Sequence, residues 1–195
     1  VKIQPKWIDL QHMHLDIWQN GINWIRDAGS YSYALNDHEL DAFSGTLGHS
    51  TIQFENRNQM PRLSRFLFGD WLTPSHLDFS KTDSRMSAAY TSANNHYHLR
   101  CVNKIEKGWV IQDEISGQFK KAVLRWILNV SDWKIEDHNI SNGEISLNII
   151  SNSDLNLKLK SGFESLYYMS KESVPILEIE CSGQCLINTN VLFTA

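Results

Sequence analysis

The chain has 195 residues, 42% hydrophobic and 21% charged, enough for one globular domain with its own core and too apolar for a disordered segment. Its net charge of -4 and pI of about 6.1 argue against nucleic acid or an anionic membrane surface as the main partner. No apolar run approaches the ~20 residues that span a bilayer.

The chain opens on Val1-Lys2-Ile3-Gln4-Pro5, with neither a methionine nor a signal peptide, and this reads as the interior of a longer protein. Residues 14–19 and 22–27 flank Asn20-Gly21, a strong hairpin signal because both central residues of a type I′ turn need positive φ. Taken as a two-residue turn, Gln19 pairs with Ile22 and His14 falls opposite Asp27, with Cβ atoms ~5 Å apart. Asp16, Trp18 and, further back, His12 share the His14 face. Met13, Leu15, Ile17, Ile22 and Trp24 form the other face, which is the better core. His49 follows on an apparent strand, His49-Ser50-Thr51-Ile52-Gln53-Phe54. The stretch 56–96, with Pro61 and Pro74, reads as loops with short strands.

From there turn signals recur at Lys107-Gly108, Asn142-Gly143, Ser161-Gly162 and Ser182-Gly183. Strands are predicted at 97–105, 108–116, 121–130, 144–150, 155–160, 175–181 and 185–193. No amphipathic helix longer than two turns, internal repeat or interdomain linker is visible. The expectation is an all-β fold, a β-sandwich of antiparallel sheets in a single domain over residues 1–195. Three cysteines do not make a disulfide framework. Cys181 and Cys185 flank a turn and can face each other across two strands, with buried free thiols favoured over a disulfide.

His14, Asp27 and His49 are the candidate metal ligands: two imidazoles and a carboxylate suit zinc or another divalent ion with open positions. The plainer readings stay beside this one. A His–Asp pair across strands is most often a structural hydrogen bond, and His49 a satisfied strand histidine. Tyr31 and Tyr33 read as packing, and the seven tryptophans as core rather than sugar platforms. His76, His96, His98 and His138 show no metal spacing.

An ordered set of motifs carries a resemblance. His12-Met13-His14-Leu15-Asp16 comes first, then Asp27-Ala28-Gly29-Ser30-Tyr31-Ser32-Tyr33, then His49-Ser50-Thr51, Asn58-Gln59-Met60 and Arg65-Phe66-Leu67-Phe68. A Tyr-x-x-Arg, a lysine-glycine hairpin and Asp113-Glu114-Ile115-Ser116-Gly117 follow between Tyr97 and Gly117. Together they resemble the C-terminal β-sandwich of heparinase II/III-like polysaccharide lyases, in the flavour associated with bacterial surface-polysaccharide clusters. The resemblance implies β-elimination on an acidic, uronate-containing polysaccharide or oligosaccharide, and a metal held by two His and one Asp. Asp27 and His49 match two of those positions. The family's His-x-His-x-Asp lies further from the hairpin turn; counting back from Gly21, the ligand position falls on Asp9 or Leu10. His14 then stands in as the third ligand, and His12 takes the place of the catalytic histidine.

The resemblance also implies an N-terminal α/α-toroid that supplies the catalytic Tyr and much of the cleft. This chain lacks it, so the expectation is the C-terminal part of a longer protein, inactive alone. Residues 57–100 hold six basic residues (Arg57, Arg62, Arg65, Lys81, Arg85, Arg100) against three acidic ones, suited to an acidic glycan or simply a solvated face. The alternative function is a non-catalytic carbohydrate-binding or scaffolding sandwich. The compartment stays open between bacterial cytoplasm and periplasm.

Overall fold

The computed structural model describes residues 13–32, 37–64, 67–80 and 82–194. In chain order the strands are β1 (Ile17–Gln19), β2 (Ile22–Arg26), β3 (Ile52–Phe54), β4 (Arg62–Ser64), β5 (Leu67–Phe68), β6 (Pro74–Ser80), β7 (Arg85–Thr91) and β8 (Tyr97–Ile105). They continue with β9 (Gly108–Ser116), β10 (Ala122–Leu128), β11 (Lys134–Glu136), β12 (Asn139–Ser141), β13 (Ile145–Ser151), β14 (Asn156–Glu164), β15 (Glu172–Cys181) and β16 (Cys185–Phe193). Among the described residues, a helix, α1 (Asp37–Ser44), and a 3₁₀ turn, Thr46–Gly48, interrupt them.

The strands build two large antiparallel sheets and a small two-stranded one, β4-β5. One runs β11-β12-β13-β16-β9-β8-β7-β6; the other runs β1-β2-β10-β15-β14, with β3 also on β10. The inner faces make one core: Leu124, Trp126, Leu128, Leu177 and Ile179 pack with Ile111, Ile115, Leu147, Ile187 and Val191. This is the expected all-β sandwich. β10 is buried along its whole length because its outer face is covered as well. There Ile127 packs with Ala28, Phe43 of α1 and Val174.

Two details of β10 position the site. Its Ala122–Leu124 pair with β3, while Ile127 and Leu128 pair with β2. β2 and β3 therefore lie end to end along one edge of β10, and the break between them sits opposite Arg125 and Trp126. Arg125 and Ile127 still donate their amides across this break, to Thr51 O (2.9 Å) and Ser50 Oγ (3.0 Å). The end of β2, at Asp27, is thus brought to the segment before β3, at His49.

Several sequence expectations are met and several are corrected. β8 and β9 fall where predicted, joined by a turn at Glu106-Lys107. The Asn20-Gly21 hairpin forms, and Gln19↔Ile22 and Trp18↔Asn23 pair as expected. Beyond them the register slips: Ile17 pairs with Ile25, leaving Trp24 as an extra residue, and the ladder ends before His14 and Asp27. Those two are therefore not a cross-strand pair. Met13, Leu15, Ile17 and Trp24 are buried as expected, while Ile22 is exposed.

Ser161-Gly162 is not a turn but lies inside β14. A Cβ on Gly162 would come 2.2 Å from Ile176 Cδ1, so the glycine answers to packing. Ser182-Gly183 does turn the chain, but β15 and β16 belong to different sheets. Cys181 and Cys185 therefore sit on strands of different sheets and not along one ladder; both are buried free thiols. The loop region holds two seven-residue strands, β6 and β7. Trp24, Trp126 and Trp133 are core residues, while Trp18 and Trp71 are exposed.

Candidate functional site

The break between β2 and β3 gathers His14, Asp27 and His49. Their candidate ligand atoms all lie within 4.8 Å of one another. His49 is not a strand residue; it follows the 3₁₀ turn as its C-cap, three residues before β3. Its Nδ1 is 2.5 Å from Asp27 Oδ2. The other Asp27 oxygen accepts the Gly29 amide at 2.6 Å. That bond needs a tight turn, which Gly29 makes with φ of +72° while its Cα backs onto Ser165 O. Burial pushes the Asp27 carboxyl up, but the His49 hydrogen bond, the neighbouring His49 and His14 imidazoles and the Gly29 amide outweigh it and hold it below 3.8.

His14 is buried, with its ring 5.6 Å from that of His49. Its Nδ1 accepts the Ser50 amide at 2.9 Å. Its Nε2 is buried without a hydrogen-bond partner and lies 3.5 Å from Asp16 Oδ1. His12 lies outside the described residues, as does Tyr33. Tyr31 stacks on Phe43 at 5.8 Å and sits beneath Lys171, a packing role.

Ser50, to which the sequence reading gave no role, and Arg100, which it placed on a basic or solvated face, hold the three candidates together. Ser50, fully buried, donates its amide to His14 and its hydroxyl to Arg26 O, next to Asp27 (2.9 Å), while being the covalent neighbour of His49. Arg100, 2% exposed, donates from Nη1 to Met13 O (2.7 Å) and Ser50 O (2.8 Å). Its Nε and Nη2 bind Asp113 (2.7 and 3.3 Å), and its guanidinium lies 4.8 Å from the Trp126 ring centroid. Asp113 also takes His98 Nε2 at 2.7 Å. Arg100 thus belongs to the support of the site and not to a basic face toward a glycan. Arg62 is likewise paired with Asp41, and Arg65 and Lys81 lie outside the described residues. The end of β2 is held by Arg26 Nη1 on both oxygens of Glu164 (2.7 and 2.8 Å). The only hint of these roles in the sequence was Ser50's place in the His-Ser-Thr motif and Arg100's in Tyr-x-x-Arg.

His76, His96 and His98 make structural bonds, to Ser87 Oγ, Gln118 O and Asp113. Among the described residues, the only His/Cys/Asp/Glu group spaced to hold a metal ion is His14, Asp27 and His49.

Comparison with solved structures finds the same fold in the heparinases. A heparinase III gene product with methylated lysines superposes with a TM-score of 0.74 at 17% identity, over 95% of this chain and 30% of that one. The heparan sulfate lyase HepC of Pedobacter heparinus gives 0.70 at 18%, over 93% and 30%. A further heparinase III gives 0.68 at 13%, over 96% and 31%. The chain therefore spans about a third of the length of these proteins. No curated protein sequence matches it. The family model for the heparinase II/III-like C-terminal domain matches residues 12–182, and the chain belongs to that family.

Proposed function

We propose that this chain is the C-terminal sandwich of a longer polysaccharide-lyase-like protein that acts by β-elimination on an acidic, uronate-containing glycan. The grouping of His14, Asp27 and His49 carries the reading, supported by the family and by the heparinase folds. Two imidazoles and a carboxylate are a zinc-type donor set. The unpartnered, buried His14 Nε2 is an atom that a divalent ion would satisfy. His14, Asp27 and His49 would hold the ion, which would supply positive charge and a fixed cross-link between the two loops.

In β-elimination a base takes the proton from C5 of the uronate, the C4–O bond breaks as the C4–C5 double bond forms, and an acid protonates the departing oxygen. His12, two residues before His14, is our proposal for the base. A histidine suits because its ordinary pKa lies near neutral pH. The acid and most of the glycan cleft would fall to an upstream α/α-toroid.

A second reading has its own support. The Ser50 amide on His14 Nδ1 leaves the neutral ring's proton on Nε2, the nitrogen that a metal needs bare. With Asp27 and His49 bonded to each other, the group then serves as a brace in a non-catalytic carbohydrate-binding or scaffolding sandwich. Metal analysis of the purified chain separates the two. About one equivalent of zinc, lost in His49→Ala, supports the lyase-type site. No metal in either protein refutes it in favour of the brace.

A further inference from the structure

The eight-stranded sheet ends on β6, which pairs with β7 along one edge and with no described strand along the other. β7 is buried at residues 87–90, yet β6 beside it is exposed at residues 74–79. The cover of the core stops between these two strands. Leu77 and Phe79 lie opposite Ala88 and Met86, so they continue the face on which Ala88 packs with Met13 and Tyr90. They are 57% and 50% exposed, an apolar stripe beside an open edge.

A free strand edge is a template for another strand, and proteins blunt such edges by shortness, charge, proline or bulges. The other three ends of the two large sheets follow this rule. β1 and β11 have three residues each, and β14 carries exposed Lys158 and Lys160. β6 has seven residues and no lysine or arginine. Pro74 and the bulge after it blunt one end only, because residues 76–80 keep a regular register with β7.

The β6 sequence is complementary to itself. A two-fold axis normal to the sheet joins two antiparallel copies with each face continued, and it sets one residue opposite its own copy. Centred on His76, it puts imidazole against imidazole. Centred on Asp78, it puts carboxylate against carboxylate, which repel. Centred on Leu77, it puts His76 opposite Asp78 of the second copy, twice. Leu77 then meets its own copy, with a Phe79 on either side. Asp78 is exposed and makes no ion pair among the described residues. His76 Nε2 is bonded to Ser87 Oγ at 2.8 Å, which fixes the ring and leaves Nδ1 to a carboxylate.

We propose that β6 is a homodimerisation edge. Two copies pair antiparallel through residues 75–79, centred on Leu77, and join their eight-stranded sheets into one. Opposite charges and the apolar stripe set the register, and the backbone groups of the open edge supply the hydrogen bonds. The proposal is independent of the metal and glycan readings. One strand pair buries little area, so the dimer is weak, with a Kd on the order of 100 μM.

The test is sedimentation velocity of the purified chain from about 5 to about 500 μM. We expect monomer at the low end and dimer at the high end. Leu77→Lys sets two like charges face to face and should leave a monomer throughout. Leu166→Lys, at a similarly exposed apolar residue of the β14–β15 loop, should dimerise as the wild type does. His76→Asp sets carboxylate against carboxylate twice and should weaken the dimer about tenfold. Adding Asp78→His restores the opposite pair and should restore the affinity. These side chains are exposed, so circular dichroism should show an unchanged fold in every variant. A monomer at the highest concentration overturns the proposal and leaves the edge to a strand of another protein. A dimer that survives Leu77→Lys, or a His76→Asp defect that Asp78→His does not repair, overturns it as well.

Discussion

Asp113→Asn is the most informative single change to the support of the site. Asp113 is fully buried and, among the described residues, is the only carboxylate bonded to Arg100, which is itself 2% exposed. The substitution preserves shape and leaves a buried guanidinium without its counter-charge. Breaking a buried pair in this way typically costs about 3–5 kcal/mol. In a chain of this length each kcal/mol lowers Tm by about 2–4 °C, so a fall of roughly 10 °C is expected. Urea unfolding followed by tryptophan fluorescence measures the loss directly, with an unchanged m-value as the check on two-state behaviour. The double variant Arg100→Met/Asp113→Asn removes the stranded charge and should recover part of the loss. Recovery stays incomplete, because Met13 O and Ser50 O lose the Nη1 donor that now holds them. A loss below about 1 kcal/mol for Asp113→Asn would show that the Arg100 charge is solvated, and the reasoning would fail.

Gly29→Ala should destabilise by about 2–4 kcal/mol, because its φ is +72° and a Cβ would sit 2.2 Å from Ser165 O. Gly21→Ala, with φ of +80° and open space around it, should lose only about 1 kcal/mol in the same urea assay; equal losses would refute the steric part of the argument. Stability should also fall in acid in two stages. Burial holds the folded His98 pKa below its ordinary 6.5, so below that pH the unfolded chain takes up a proton that the folded one refuses. Asp113 is held below 3.8: burial raises it, but Arg100 and His98 outweigh this, so it adds a second loss below that pH. In His98→Gln the first slope should vanish from the urea midpoints measured between pH 7 and pH 4, and its persistence would assign it to another group.

The legible parts of this fold include the strands where burial alternates. β8 and β9 show this, flanking a two-residue turn that only a tight hairpin can make. β6 was hidden because it is exposed on nearly every residue, so no period-two pattern marks it. Gly162 misled because a glycine needed for a neighbour's side chain looks the same in sequence as one needed for a turn. The metal candidates were legible as residue types, but the route was not. A straight ladder from Asn20-Gly21 sets His14 against Asp27, whereas the extra Trp24 breaks that register and the β2–β3 junction on β10 sets Asp27 against His49. Arg100 was invisible as a support because a charged residue in a polar stretch reads as solvated. Only folding brings the carbonyls of Met13 and Ser50 beside it.

The β9–β10, β13–β14 and β15–β16 connections each leave one sheet and enter the other. β15 lies between β10 and β14, and β16 between β13 and β9. The two layers are therefore stitched through alternate strands and cannot mature one after the other. Each must wait for segments that arrive late in the chain; β2, near its start, waits for β10, about a hundred residues further on. Such a topology closes slowly. A ribosome would have to release almost all of this sequence before either layer could settle, and removing residues 172–194 would strip an interior strand from both layers at once.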